Sequence, residues 1–403
     1  MRTRNDVSAF QIGLEAAVDQ SWAAGWIYLR GLLLCLQAIP GPDRPEVRML
    51  PRDAYGAGEA EALISNIPFA RLALKTSSRA KGVNRHLAIR RIKRVAQCFL
   101  GRPLDPAFSG LDVTYPGWGR PIPGAAQMHW IPDFQYAFFP NLFPPSEVRA
   151  LQEAHARIAT RTGIVVLSSK TSLEHFESLY PKARATVRVW SFCSAITKQE
   201  RVGPDPRELM RLPQTYLYVA NQFWAHKDHL TLFQALHELH QEGLCLEVVC
   251  TGRLEDRRDP DYARRVQAFI QEHGLADHVR ILGHIERSAQ VQVMRHCAAV
   301  IQPSRFEGWG TVVEDAKACG RPVILSDIAV HKEQLPGGHF FEAGSSRALS
   351  DVLRQLAPSF CAGPDADAER RAEDLLSQRR RELGYEFLNI CDDSVSMCRR
   401  NRS

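Results

Sequence analysis

No two of the ten cysteines form a C-x-x-C pair, and most stand inside apolar runs such as Leu34-Cys35-Leu36 and Val248-Val249-Cys250. That pattern disfavours a zinc framework or a disulfide scaffold and suits buried thiols in a reducing compartment. The N-terminal Met1-Arg2-Thr3-Arg4 lacks the apolar core of a secretion leader. The longest apolar stretch near it, Gly31 to Ile39, is too short and too interrupted to span a bilayer. A strong excess of charge is missing as well: 51 Lys and Arg face 45 Asp and Glu, and a net +6 does not argue for nucleic acid. There is no internal repeat and no long low-complexity tract. No G-x-G-x-x-G follows any predicted strand, which leaves a nicotinamide-dependent oxidoreductase without support. These absences lead us to expect a cytoplasmic protein without a zinc or disulfide framework.

What remains is a chain of 403 residues, 45% hydrophobic and 24% charged, long enough for two ordinary domains. Short apolar runs alternate with segments of helical period, the pattern of a parallel sheet covered by helices. In the C-terminal half the predicted strands are Tyr216–Ala220, Leu244–Cys250, Val279–Leu282, Ala299–Gln302 and Pro322–Leu325. Helices are expected over Asp228–Glu242 and Asp261–His273, through Val291 and Met294, and from near Thr311. Five strands with helical crossovers make one Rossmann-like domain over 213–372. Phe10–Leu14, Glu46–Leu50, Met128–Ile131 and Gly163–Leu167 are the predicted strands of a second such sheet within 1–200. Arg201-Val-Gly-Pro-Asp-Pro206 gives 201–212 the composition of a linker. The remainder, 373–403, reads as a helical tail, with one or two amphipathic helices between Asp365 and Asn389.

In open parallel sheets ligands bind beyond the carboxyl ends of the strands, so the loops there carry the chemistry. After Gln302 the chain runs Pro303-Ser-Arg-Phe-Glu307-Gly308-Trp309-Gly310 into a helix. A carboxylate followed by Gly-x-Gly and a helix start exposes N–H groups suited to a diphosphate or a cluster of sugar hydroxyls. Two carboxylates about two helical turns apart, Glu307 and Asp315, have the spacing to grip the diols at both ends of a nucleotide sugar. The plainer alternative is that Glu307 favours the helix dipole and Asp315 is solvated. After Ala220, Lys227 precedes a helix and suits a pyrophosphate leaving group; a solvated lysine is the alternative.

The segment Glu307-Gly-Trp-Gly-Thr-Val-Val-Glu314-Asp315-Ala-Lys-Ala-Cys-Gly320 resembles the Glu-x7-Glu signature of glycosyltransferase family 4. The resemblance implies an α/β, GT-B architecture: two Rossmann-like domains facing across a cleft, the C-terminal one holding the donor. It implies contact of Glu307 with the donor sugar and of the second carboxylate with the ribose. Here Asp315 stands where Glu is usual, with Glu314 as its rival. Family members carry an Arg and a Lys five residues apart in the earlier loop; Lys227 matches the Lys and Gln222 replaces the Arg. The resemblance also implies that Gly283-His284 lies against the nucleotide base. Ser21-Trp-Ala-Ala-Gly25 resembles the glycine loop near the donor phosphate, with Ala24 where a second Gly is common. His129-Trp-Ile-Pro-Asp133-Phe-Gln-Tyr136 resembles a Trp-Ile-Pro-Asp-Phe-Gln-His segment of a bacterial subgroup, which makes Asp133 the N-domain candidate for contacting reacting groups and His129 the second. Tyr136 stands where His is common, and no catalytic base is assigned.

The implied activity is retaining transfer of a sugar from a nucleotide-sugar donor to a saccharide or lipid-linked saccharide acceptor, as in cell-surface polysaccharide assembly, without a metal. The departures at Gln222, Asp315 and Tyr136 keep open a catalytically impaired GT-B protein that binds a nucleotide sugar or a partner enzyme. An epimerase of the same architecture is a further rival. The run from Arg79 to Arg94 holds seven basic and no acidic side chains; it is either a solvated basic helix or a surface that docks anionic lipid on the inner face of a membrane.

Overall fold

A computed structural model describes residues 10–16, 23–51, 54–65, 67–73 and 108–401. Two sheets organise these residues. The first contains β1 (Gln11–Ala16), β2 (Glu46–Pro51), β3 (Ala70–Leu72), β4 (Val113–Tyr115), β5 (Ala126–Trp130), β6 (Ile164–Leu167) and β7 (Thr186–Val189), in the order β3-β2-β1-β4-β5-β6-β7. The second contains β8 (Leu217–Ala220), β9 (Val248–Thr251), β10 (Val279–Ile281), β11 (Ala299–Gln302), β12 (Val323–Ser326) and β13 (His339–Phe341), in the order β10-β9-β8-β11-β12-β13. Pairing is parallel throughout. β6, β9, β11 and β12 are buried along their whole length, as continuous apolar runs covered by helices on both faces must be.

Six strands form the second sheet where the pattern predicts five. The added one, His339-Phe340-Phe341, is a three-residue edge strand paired only to β12, too short to give a periodic signal. Strand Leu244–Cys250 is trimmed to Val248–Thr251, because Gly243, at φ 83°, ends the preceding helix in a turn that Leu244 closes on the Leu239 carbonyl. The stretch 201–212 carries a short helix, Pro206–Met210, started by Asp205 accepting from the Arg207 N–H.

The end of the chain is one helix, Ala366–Arg400, capped by Asp365, whose carboxylate accepts from the N–H groups of Asp367 and Ala368. It therefore takes in the segment read as a tail and begins before it. Its start is fastened to the second unit by Arg295 to Glu369 at 2.6 Å. Farther along it lies on the first unit: Trp190 donates its indole N–H to the Leu383 carbonyl at 2.9 Å, and Arg188 meets Asp393 at 2.9 Å. The helix strides across both units because its buried residues, Leu376, Leu383, Phe387, Ile390 and Cys391, keep one face apolar. Close packing at its middle depends on Gly384, where a side chain would sit 2.5 Å from the Cys35 carbonyl oxygen of helix Ala23–Gln37.

Gly384→Ala should therefore lower stability by roughly 1–3 kcal/mol through overpacking. Gly58→Ala, in a helix with open space around the new methyl, serves as the control and should leave stability unchanged or slightly raised. Chemical denaturation of the two variants beside the wild type measures the difference.

Candidate functional site between the sheets

Strand order changes direction beside β8 and β11, which are neighbours in the second sheet though far apart in sequence. Their carboxyl ends open a crevice of the kind that holds ligands in such sheets. Side chains bolt the two ends together: Asn221 donates its amide to Gln302 Oε1 at 2.8 Å, and Gln302 Nε2 donates to Ser304 Oγ at 3.1 Å and to Glu307 Oε1 at 2.8 Å. Lys227 Nζ reaches the same carboxylate oxygen at 2.6 Å. Burial alone would raise the Glu307 carboxyl; the Lys227 ammonium, with a smaller part from His331, more than offsets it and holds the group below the usual glutamate range.

Lys227 is aimed by its own loop. The turn Ala225–Lys227 runs into Asp228, held at φ 52°, an uncommon conformation for a residue with a side chain. Asp228 is fixed there by Thr231 Oγ1 at 2.7 Å and by Arg305 Nε at 2.8 Å, so the loop after β8 is tied to the loop after β11.

Helix Thr311–Ala318 begins at Gly310, whose N–H donates to Gln334 Oε1 at 3.1 Å while its carbonyl accepts from Gln334 Nε2 at 2.8 Å. Gly308 touches the other unit: a β-carbon there would lie 2.3 Å from the Pro132 carbonyl oxygen and 2.8 Å from Asp133 Cβ. Trp309 donates its indole N–H to the Phe192 carbonyl at 2.9 Å. Nearby, Glu333 accepts from the N–H groups of Lys170 and Thr171 at 2.7 and 3.0 Å, capping the first turn of helix Lys170–Leu179 from across the cleft. The Glu307-Gly-Trp-Gly segment thus faces both units at once.

The two rival carboxylates point in different directions. Glu314 bonds Lys317 Nζ at 2.9 Å and Gln334 Nε2 at 2.9 Å, and it lines a separate hollow of about 550 Å³ against helix Ala366–Arg400. Asp315 faces the crevice. It is buried and accepts from Ser194 Oγ at 2.7 Å and from Arg287 Nη2 at 2.6 Å. Arg287 was not singled out in the sequence, yet its side chain lines the same hollow as Gln222, Lys227 and Glu307. Gln222 has its carbonyl oxygen occupied by the Arg253 N–H at 2.6 Å, which leaves its amide N–H groups for the crevice.

Two small chambers make up the cleft and share Lys227, Glu307, Trp309, Trp224, Thr311 and Ala24. The first, about 150 Å³, is walled by Gln222, Arg287, Gly310 and Asp315; the second, about 140 Å³, by Asp133, Gln135, Ser168, His226 and Gly308. Burial raises the Asp133 carboxyl, helped by Glu307, although the Gln135 N–H at 2.8 Å pulls the other way. Burial, then the charges of Lys227 and Arg258, push the His226 imidazole well below its ordinary value, so it stands neutral in this chamber. His226 is a second residue that spacing did not single out.

Other expected residues fall elsewhere. Gly283, at φ 68°, accepts from the Gly252 N–H at 2.8 Å, and neither it nor the exposed His284 lines the two chambers. Gly25 is the third residue of helix Ala23–Gln37, where Ala24 and not Gly25 reaches the cleft. His129 lines a different hollow with Arg161 and Asn401. Tyr136 is buried in the first unit, its hydroxyl 3.0 Å from His155 Nδ1 and 3.0 Å from the Tyr180 hydroxyl. Ser21-Trp22 and the basic run 79–94 lie outside the described residues.

The architecture is GT-B: two parallel sheets with helices, meeting at a cleft. Solved structures agree. The chain is similar to a glycosyltransferase from Rickettsia africae at 13% identity, with a TM-score of 0.62 over 96% of this chain and 99% of that one. It is similar to Anabaena HepE in complex with UDP and glucose at 16% identity, with a TM-score of 0.61 over 95% and 99%. Residues 207–358 match the family described as glycosyl transferases group 1. Among curated relatives, the chain is 26% identical to a phosphatidyl-myo-inositol mannosyltransferase of Mycobacterium leprae over 210 residues, which is 51% of this chain and 52% of that protein. An O-antigen chain mannosyltransferase of Salmonella typhimurium is 28% identical over 32% of this chain and 34% of its own length. The chain thus spans about half or less of the length of these curated relatives. No helix among the described residues is long and apolar enough to cross a membrane.

The Lys227–Glu307 pair makes a pH-dependent contribution of known sign. A carboxyl lowered in the folded state stabilises the fold above its unfolded value of about 4.3 and loses that contribution as pH falls through the folded value. Lys227→Met leaves Glu307 buried without its cation, a loss of about 3–5 kcal/mol near neutrality. Unfolding measured from pH 7 to 3 should show the gap between variant and wild type shrinking in acid; a gap that does not change with pH would contradict the pairing.

Proposed function

We propose that this protein is a retaining glycosyltransferase of family 4 that moves a sugar from a nucleotide-sugar donor to a saccharide or lipid-linked saccharide acceptor. The observation that carries the reading is the Lys227–Glu307 pair, set where the two chambers meet and beside the N-terminus of helix Thr311–Ala318. A diphosphate in the first chamber would meet the backbone at that helix start together with Lys227 and Arg287. Arg287 supports the reading because it brings into the chamber the guanidinium that Gln222 lacks. Asp315 would accept from a ribose diol while sharing its oxygens with Arg287, and Glu307 would accept from hydroxyls of the donor sugar.

The acceptor would enter the second chamber, beside Asp133 and the neutral His226. With the donor phosphate able to take the acceptor proton, no protein nucleophile is required. Lys227 and the helix start would do the work that a divalent ion does elsewhere, so transfer should proceed without added magnesium. The Mycobacterium and Salmonella relatives are both mannosyltransferases, which favours a hexosyl donor and an acceptor of cell-envelope type. The basic run 79–94 supports a cytoplasmic protein touching an anionic membrane where a lipid-linked acceptor resides. Co-sedimentation with anionic but not neutral vesicles is the expected result; equal partitioning would remove the membrane from the proposal.

A panel of nucleotide sugars screened by thermal shift should pick out one donor class, since a ligand at a hundred times its Kd stabilises the fold by about 2.7 kcal/mol. With that donor, Lys227→Ala should lower kcat by about 10²–10³-fold, the loss typical of one transition-state donor group. Glu307→Ala should abolish transfer. Donor binding with no transfer to any acceptor would favour the impaired GT-B protein instead, and product formed without an acceptor would favour an epimerase.

A further inference from the structure

At the opposite end of the second sheet from the cleft, three segments bring two histidines and a cysteine together. His240 is in the last turn of helix His229–Gln241, Cys245 is in the loop leading to β9, and His278 immediately precedes β10. One ligand atom from each lies within 4.8 Å of the others. His240 Nδ1 and Cys245 Sγ are already 3.1 Å apart, and His278 Nδ1 is held by Glu247 Oε1 at 2.8 Å.

We propose that His240, Cys245 and His278 bind one zinc ion, with water in the fourth position. The chemistry of the donor set points to zinc: a thiolate and two imidazoles suit a borderline-soft ion that prefers tetrahedral coordination. Zinc–nitrogen and zinc–sulfur bonds of about 2.0 and 2.3 Å put tetrahedral ligands roughly 3.3–3.5 Å apart, a span the three side chains reach with small rotations. Glu247 supplies the second feature of a built site, a carboxylate that orients a ligating histidine and leaves its other ring nitrogen for the ion. The backbone prepares the approach, because the turn at Gly243 folds the chain back so that Cys245 returns beneath His240. Binding takes Cys245 as its thiolate and releases the thiol proton to solvent.

The ion would clamp a helix end, a loop and a strand start. It would be remote from Lys227 and Glu307, which follow strands in the same sheet where Cys245 and His278 precede them. The role inferred is therefore structural, and it is independent of the transfer reaction.

The test uses the full chain without a histidine tag, stripped of metal and titrated with zinc. One equivalent should bind and raise Tm. Cobalt in its place should give the near-ultraviolet charge-transfer band of a thiolate–cobalt bond. Cys245→Ser should remove that band and weaken zinc binding by at least about 100-fold, His278→Gln should do the same to affinity, and Glu247→Gln should weaken it by about 10–100-fold. Cys245 is exposed and His278 half-buried, so these variants should fold, which circular dichroism checks. Absence of zinc binding, an unchanged stoichiometry in the Cys245→Ser, His278→Gln double variant, or a cobalt complex without the thiolate band would each overturn the proposal.

Discussion

One carboxylate, Glu307, governs the arrangement of the cleft. A buried negative charge is tolerable only with a cation and hydrogen bonds close by, and this one has Lys227 and Gln302 on the same oxygen. Satisfying it brings the loop after β8 onto the loop after β11. The Asn221–Gln302 and Asp228–Arg305 contacts repeat that tie on either side. The helix that starts at Gly310 is aimed in the same stroke, since Glu307 stands three residues before it and Gln334 pins both backbone groups of Gly310. The polar groups that hold this region together are thus the groups a polar ligand would meet.

The units are joined by contacts that differ in kind. Gly308 meets Pro132 and Asp133 with no room for a side chain, which sets how closely the cleft walls approach. Glu333 caps a helix on the far side, and Trp309 reaches the Phe192 carbonyl. Helix Ala366–Arg400 adds an apolar strap behind the cleft, fastened at Glu369 to one unit and at Leu383 and Asp393 to the other. The strap lies away from the chambers, so it can hold the units without occupying the cleft.

Much of the second unit was legible because fully buried parallel strands are unbroken apolar runs and their helices have a clear apolar face. Strand Ala299–Gln302 is a case where prediction and structure coincide residue for residue. The first unit was harder: β3 and β4 are three residues long, and β7 is half-buried throughout, so neither length nor alternation marks them. The Glu307 loop stood out since its glycines and the following helix are consecutive in sequence. Arg287 and His226 did not, because their importance comes from what folds against them. The pairing of Arg287 with Asp315 crosses 28 positions and two elements, and nothing local announces it. The His240, Cys245 and His278 cluster escaped for the same reason: paired-cysteine spacing is the sequence sign of a zinc site, and these ligands come from three segments.

By itself the sequence determined the alternation of strands and helices, the Rossmann-like second unit and the carboxylate-glycine segment that opens its ligand-facing helix. These are local properties, written in periodicity and in neighbouring residues. Tertiary structure decided which carboxylate faces the cleft. Successive residues on a helix point about 100° apart, so Glu314 and Asp315 cannot both look the same way. The packing of Gln334 and Lys317 against one, and of Arg287 and Ser194 against the other, settled the choice.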